Sequence, residues 1–333
     1  MNLPEWIYEA GIGEARAALV ENGRIIEARI APEESGPRHG TICSGQLIEI
    51  TRPGRQGIIR LEDGTEALLE PLPKALTQGG SLTIEITREA LSEPGKPKRA
   101  KARPAADGQP HKAGPGLLDQ LGASGFPVTL LSPHAPDRLE ESGWTEVLET
   151  AATGIFAFPG GSLRISPTPA MTLIDVDGHL PPLDLALMGA EQAANAIRLF
   201  DLAGSIGIDL PTLGGKAERL SVAGAFDAVL PRPFERTAVN GFGFLQIIRP
   251  RHRASLCEIL QHGPVSAAAR ALLRRAERSG RMGSARLVAH PAVITFLESH
   301  TAWLDALGRT LGGTAHLRAD PALTIGNGHV EPV

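Results

Sequence analysis

Two apolar runs that each end in aspartate are the first residues whose types suggest chemistry. Met171-Thr172-Leu173-Ile174-Asp175 continues into Val176-Asp177-Gly178, and Gly204-Ser205-Ile206-Gly207-Ile208 ends in Asp209. An apolar stretch before each acid suits a strand buried in a sheet. A helical pattern across 184–202 separates the two runs, as in a strand–helix–strand crossover to a parallel neighbour. Both carboxylates then reach the same sheet edge, where open α/β sheets place their ligands. Two carboxylates converging without a basic partner repel one another. A hard divalent cation relieves that repulsion, and Mg²⁺ is typically held by one or two carboxylates plus water and phosphate oxygens. The bland alternative is that each acid merely caps the helix that follows it.

Cations form the second feature. The strand-like stretch Val239-Asn240-Gly241-Phe242-Gly243-Phe244-Leu245-Gln246-Ile247-Ile248 runs into Arg249, Arg251, His252 and Arg253. Placed on a strand, these cations are directional and suit phosphate contact, or else they are a solvated strand end. Lys96, Lys98, Arg99, Lys101 and Arg103 crowd a Pro-, Gly- and Ala-rich segment across 91–120. That segment reads as an extended linker, either a solvated tether or a contact that neutralises phosphates and releases counterions. Arg270, Arg274, Arg275, Arg278 and Arg281 recur at helical spacing and read as an exposed helix face.

Other chemistries drop out. The ten histidines show no metal spacing, and Cys43 and Cys257 are too few for a disulfide framework or a four-ligand zinc site, so they read as reduced thiols. Gly11-x-Gly13 lacks the third glycine and following helix of a dinucleotide loop, and no G-x-S-x-G nucleophile elbow is present. No apolar run approaches the roughly 18 residues of a membrane span. The start MNLPEWIYEAG has no signal-peptide pattern, so a cytoplasmic protein without membrane partners is expected. The net charge of −4, with nine Phe, three Trp and one Tyr, argues against a uniformly basic or base-stacking nucleic-acid binder. Phosphate binding is local, however, and the cations cluster at 96–103 and 249–253.

The elements that must position these residues follow from pattern. Ala15–Val20 and Ile25–Ile30 flank Asn22-Gly23, a hairpin turn. Across 38–90 five short strands with Gly bends, and a second turn at Asp63-Gly64, predict a small Greek-key barrel of the OB type. Beyond 121 the pattern turns mixed α/β. Strands are expected at 126–131, about the turn in 154–167, at 171–175, 204–209, within 236–249 and near 316–318. Helices are expected at 137–151, 184–202, 215–229, 255–261, 265–278, 291–299 and 301–311.

In order and spacing, 160–177 (GGSLRISPTPAMTLIDVD), 201–209 (DLAGSIGID) and 239–253 (VNGFGFLQIIRPRHR) resemble the catalytic core of the ribonuclease E/G family. The opening hairpin and barrel are also similar to that family's. The resemblance covers roughly 5–104 and 125–320 and is most specific in 160–253. It implies a multi-subdomain α+β and α/β fold. A split ribonuclease-H-like domain (1–36 and 123–170) would hold an inserted OB-type RNA-binding barrel (37–104). A flexible linker (105–122) and a DNase-I-like catalytic subdomain with C-terminal helices (171–333) complete it. The implied activity is Mg²⁺-dependent endonucleolytic cleavage of single-stranded RNA, in RNA processing or decay, leaving a 5′-phosphate and a 3′-hydroxyl. Asp175 and Asp209 match the metal-binding aspartates, and Asp177 stands where the family usually has the Asn that supports water and phosphate. RNA-binding candidates are Lys98, Arg99, Lys101, Arg249, Arg251 and Arg253.

The departures are specific. Asp177 adds a negative charge, Pro169 replaces a common Glu, and the barrel lacks the family's base-stacking Phe. The stretch after Asp177 loses an Arg- and Asn-rich segment. The linker is too short for the family's 5′-end sensor. With no Cys-Pro-x-Cys after the catalytic region, a zinc-linked dimer is not supported, although a homo-oligomer stays open. The competing expectation is a non-catalytic RNA-binding or regulatory relative.

Overall fold

The structure, a computed structural model, describes residues 3–33, 36–93, 95, 97–106, 108–280 and 282–333. Lys96 and Arg281 therefore lie outside the described residues.

Three strands open the chain: β1 (Glu5–Gly11), β2 (Glu14–Glu21) and β3 (Arg24–Pro32). The β2–β3 turn takes positive φ at Asn22 (51°) and Gly23 (76°), the geometry a tight hairpin needs. The chain then leaves this sheet to form a closed barrel of β4 (Ile42–Arg52), β5 (Gln56–Leu61), β6 (Glu66–Leu69), β7 (Ser81–Arg88) and β8 (Ala100–Pro104). The order β4-β5-β6-β8-β7, with β6 and β8 parallel, is compatible with an OB-like barrel. Leu47, Ile59, Leu69, Ile84 and Ile86 fill its interior.

Here the structure corrects the linker expected across 91–120. The fifth strand is not within 38–90 but is Ala100-Lys101-Ala102-Arg103-Pro104. Its alternation is period two with alanine inside: Ala100 and Ala102 are buried while Arg103 faces solvent. Alanine supplies too little bulk for such a strand to be recognised by hydrophobic patterning. The stretch 105–122, expected to be flexible, ends in helix α1 (Leu117–Gly122), which buries Leu117 and Leu121 beside Trp6 and Leu19.

Strand β9 (Val128–Leu130) returns to the first sheet, parallel to β1, giving the order β3-β2-β1-β9. The acidic helix expected at 137–151 is broken into α2 (Arg138–Glu141) and α3 (Trp144–Thr153) by Gly143 in a left-handed conformation.

Next come β10 (Ile155–Phe158), β11 (Gly161–Pro167), β12 (Thr172–Gly178), α4 (Pro182–Leu199), β13 (Gly204–Asp209), α5 (Lys216–Val229), β14 (Glu235–Arg236) and β15 (Phe244–Arg249). They build a six-stranded sheet, β10-β11-β12-β13-β15-β14. Since β10 and β11 belong to the same sheet as β12, the boundary expected at 170/171 falls inside one sheet. Helix α4 packs against β11 and β12 on one side and β3 on the other. It is Ala-rich, which permits this double contact, and Gly189 lies where a Cβ would approach Val176 to 2.5 Å. The core formed this way joins both sheets.

The chain closes with α6 (Leu256–His262), α7 (Pro264–Glu277), β16 (Ala285–Ala289), α8 (Pro291–Glu298), α9 (Thr301–Leu311), β17 (Ala315–Ala319) and β18 (His329–Pro332). The last three strands form a separate sheet, β17-β16-β18, with its own core. Strands β16 and β18 were not expected.

Helix α7 overturns the expectation of an exposed arginine face. Arg270 and Arg274 are buried. Glu9 of β1 accepts from Arg16 at 2.7 Å, Arg274 at 2.9 Å and Arg278 at 2.6 Å, while Glu14 accepts from Arg16 at 2.7 Å and Arg270 at 2.8 Å. Asp137 also accepts from Arg274, at 2.7 Å. Buried guanidiniums require such paired carboxylates. Burial alone would raise the Glu9 carboxyl, but the guanidiniums around it outweigh burial and hold it below the ordinary carboxylate range. The network fastens the C-terminal helices to the first sheet.

Candidate functional site

Alternation along β12 puts Thr172, Ile174 and Val176 under α4 and leaves Leu173, Asp175 and Asp177 on the opposite, solvent face. On β13 the same parity exposes Asp209 at the strand end. The two strands are parallel, and Asp175 and Asp209 are direct register partners. The two backbones thus stand one strand spacing apart at this pair, about 4.8 Å, and both side chains leave on the same face. Neither makes a hydrogen bond or ion pair among the described residues. This pair is not engaged in capping.

The register extends across the sheet. Asp175 is opposite Arg164 of β11, Arg164 is opposite Ile155 of β10, and Asp209 is opposite Phe244 of β15. One row therefore reads Ile155, Arg164, Asp175, Asp209, Phe244. Asp177 lies one step further out, opposite Ser162, and its Oδ1 accepts from the Gly178 amide at 2.9 Å. Arg164 is exposed and has no partner among the described residues. It escaped sequence reasoning because its place beside Asp175 depends on the β11–β12 register. The alternation Leu163 in, Arg164 out was the available signal.

This face is open and partly apolar. Ile155 is 48 %, Leu173 40 % and Ile248 55 % exposed. Phe244 lies across Gly207, where a Cβ would come within 2.5 Å of its ring. The turn before β15 is pinned by Asn240, whose Oδ1 accepts from the amides of Phe242 (2.9 Å) and Phe244 (3.0 Å). Its tip carries Phe242, 83 % exposed, and the Leu210 amide next to Asp209 donates to the Gly243 carbonyl at 3.2 Å.

The arginines after β15 do not reach this site. Arg249 is half-buried and donates to the Leu202 carbonyl at 2.7 Å and, at 3.4 Å, to the Ile197 carbonyl in the last turn of α4, which also accepts from the Leu202 amide at 2.9 Å. Burial lowers its pKa. Arg251 pairs with Glu258, and Arg253 pairs with Asp201 at 2.7 Å and also donates to Gln120. Arg249 shares the parity of Leu245 and Ile247, so it points to the covered side. All three sit at the end of the sheet away from Asp209.

The barrel cations are better exposed but also paired: Arg99 with Glu66 at 3.0 Å, Lys101 with Glu70 at 3.9 Å and Arg103 with Glu85 at 2.8 Å. Exposed pairs of this kind contribute roughly 0–1 kcal/mol, so a phosphate can compete for them. Lys98 pairs with Glu93 at 2.5 Å and donates to the Pro169 carbonyl at 2.8 Å. That contact sets the barrel's exit segment against the β11–β12 turn, six residues before Asp175 in the chain.

Two solvent-facing carboxylates in register, free of protein donors, suit a hard divalent cation that keeps most of its shell as water. No group of three or more His, Cys, Asp or Glu is placed to hold a metal among the described residues. A cavity of about 490 Å³ lies elsewhere, between the barrel's exit segment and α6–α8. No helix among the described residues is long and apolar enough to cross a membrane. No protein-family model matches the chain, and no curated protein matches it.

Proposed function

We propose that this chain is a divalent-metal-dependent endoribonuclease acting on single-stranded RNA, with its site on the open face of the six-stranded sheet. The observation that supports this most is the register pairing of Asp175 with Asp209 on parallel strands. In this reading the first sheet is the ribonuclease-H-like part, the barrel is its OB-type insertion, and the six-stranded sheet is the DNase-I-like part.

Asp175 and Asp209 would hold the cation, in keeping with Mg²⁺. A divalent cation bound there activates water and offsets charge on a phosphodiester. Asp177 has Oδ1 committed to the Gly178 amide; its Oδ2 would accept a hydrogen bond from the attacking water and orient it. Phe242 and Leu173 offer apolar surface for bases on either side of the carboxylate row. The barrel would hold the backbone through Lys98, Arg99 and Lys101, exchanging glutamates for phosphates. It has no Phe, Tyr or Trp across 42–104, so little base preference should arise there.

A second reading, RNA binding without cleavage, draws support from the acid at 177 and from Pro169, where the family that the chain resembles has Asn and Glu. Incubating the purified chain with end-labelled A/U-rich single-stranded RNA, with Mg²⁺ or with EDTA, separates them. Metal-dependent cleavage abolished by Asp175→Asn and by Asp209→Asn supports the enzyme. Binding with no cleavage supports the second reading.

A further inference from the structure

Resting on the nuclease reading above, we propose that Arg164 is a phosphate-binding residue of this site, holding a non-bridging oxygen of the scissile phosphodiester beside the Asp175–Asp209 pair. Arg164 is the direct cross-strand neighbour of Asp175. Opposite charges facing each other across antiparallel strands ordinarily engage. Here they do not, and both groups remain open to solvent. Arg164 is the one cation at the described strand positions on this face. The arginines after β15 are turned away to Leu202, Glu258 and Asp201.

The row order gives the chemistry. A phosphodiester approaching two carboxylates meets like charge and needs a fixed cation as well as a metal. A guanidinium carried on the strand next to Asp175 can offer two parallel N–H donors to phosphate oxygens. The strand fixes the Arg164 Cα beside Asp175, with Ile155 and Leu173 as apolar neighbours on the same face. The ligand class is a phosphodiester of single-stranded nucleic acid.

The test uses the full chain and its Arg164→Gln and Arg164→Lys variants, with three readouts. Calorimetric titration of Mn²⁺ without RNA reports the carboxylate pair. RNA binding in EDTA reports the phosphate contact. Single-turnover cleavage at saturating metal and RNA reports the reacting geometry. Arg164→Gln should cut the cleavage rate by about 10²-fold, the usual loss for one fixed donor on a developing charge. It should weaken RNA binding in EDTA, and leave Mn²⁺ affinity unchanged or tighter, since a nearby positive charge is gone. Arg164→Lys should recover part of the rate. Wild-type cleavage by Arg164→Gln overturns the assignment and leaves the nuclease reading standing. Loss of Mn²⁺ binding in Arg164→Gln also overturns it, because the residue then shapes the carboxylates rather than holding phosphate. A wild-type chain that shows no metal-dependent cleavage overturns the nuclease reading and this assignment together.

Discussion

Replacing Glu9 by Gln should destabilise the whole chain, and the size of the effect can be worked from the contacts. Glu9 is 3 % exposed and accepts from three guanidiniums: Arg16 at 2.7 Å, Arg274 at 2.9 Å and Arg278 at 2.6 Å. Gln keeps the shape and one acceptor but removes the charge and presents N–H donors to guanidinium donors. Arg16 and Arg274 are themselves buried, so they cannot turn to water. Breaking one side of a buried ion pair costs about 3–5 kcal/mol. Asp137 and Glu14 still serve part of the cluster, which places the expectation near the lower end, about 3 kcal/mol. For a chain of this size unfolding as one unit that corresponds to a fall in Tm of roughly 4 °C. Differential scanning fluorimetry and urea titration followed by circular dichroism would measure it. The C-terminal helices should become protease-sensitive first, since they lose their anchor to β1. A Tm within about 1 °C of wild type would refute the argument that this network holds the two parts together.

The same carboxyl sets a pH window. Its pKa is lowered from 4.5, so its contribution is present above that ordinary value and is lost as pH falls through the lowered one. The Tm gap between wild type and Glu9→Gln should therefore close on acidification below about pH 4.5, the unfolded carboxylate range; a gap that persists to the acid limit of folding contradicts this. Gly243→Ala should cost at least about 2 kcal/mol and slow RNA cleavage more than tenfold. The residue sits at φ 91°, and a Cβ there would strike the Leu210 carbonyl oxygen next to Asp209; a variant with wild-type Tm would contradict the geometry. Burial pushes the Cys257 thiol far up and also raises that of Cys43. A thiol reagent near pH 8 should label at most Cys43 in the folded chain and both in denaturant; rapid native labelling of Cys257, followed by peptide mapping, would show the α6 packing to be wrong.

Much of the site could be read from local pattern. Apolar runs ending in Asp, separated by a helix, predicted neighbouring parallel strands, and Asn22-Gly23 predicted its hairpin. What local pattern cannot carry is register. The pairing of Asp175 with Asp209, and the place of Arg164 beside them, follow from hydrogen bonding between strands. The α7 arginines looked exposed because their carboxylate partners, Glu9 and Glu14, lie some 250 residues away in the chain. Arg249 shares the parity of Leu245 and Ile247, and that parity, rather than its charge at a strand end, decides which side it faces. The fifth barrel strand was hidden by its alanines, which alternate correctly yet contribute little hydrophobic signal.

The central claim is that Asp175 and Asp209 act together on one cation. Calorimetric titration of Mn²⁺ into the wild-type chain, Asp175→Asn, Asp209→Asn and the double variant tests this without any RNA. The account predicts one ion per wild-type chain, at least about tenfold weaker binding in each single variant, and a loss in the double variant well short of the sum of the two, as expected for groups sharing one ligand. Unchanged Mn²⁺ binding in either single variant would contradict it.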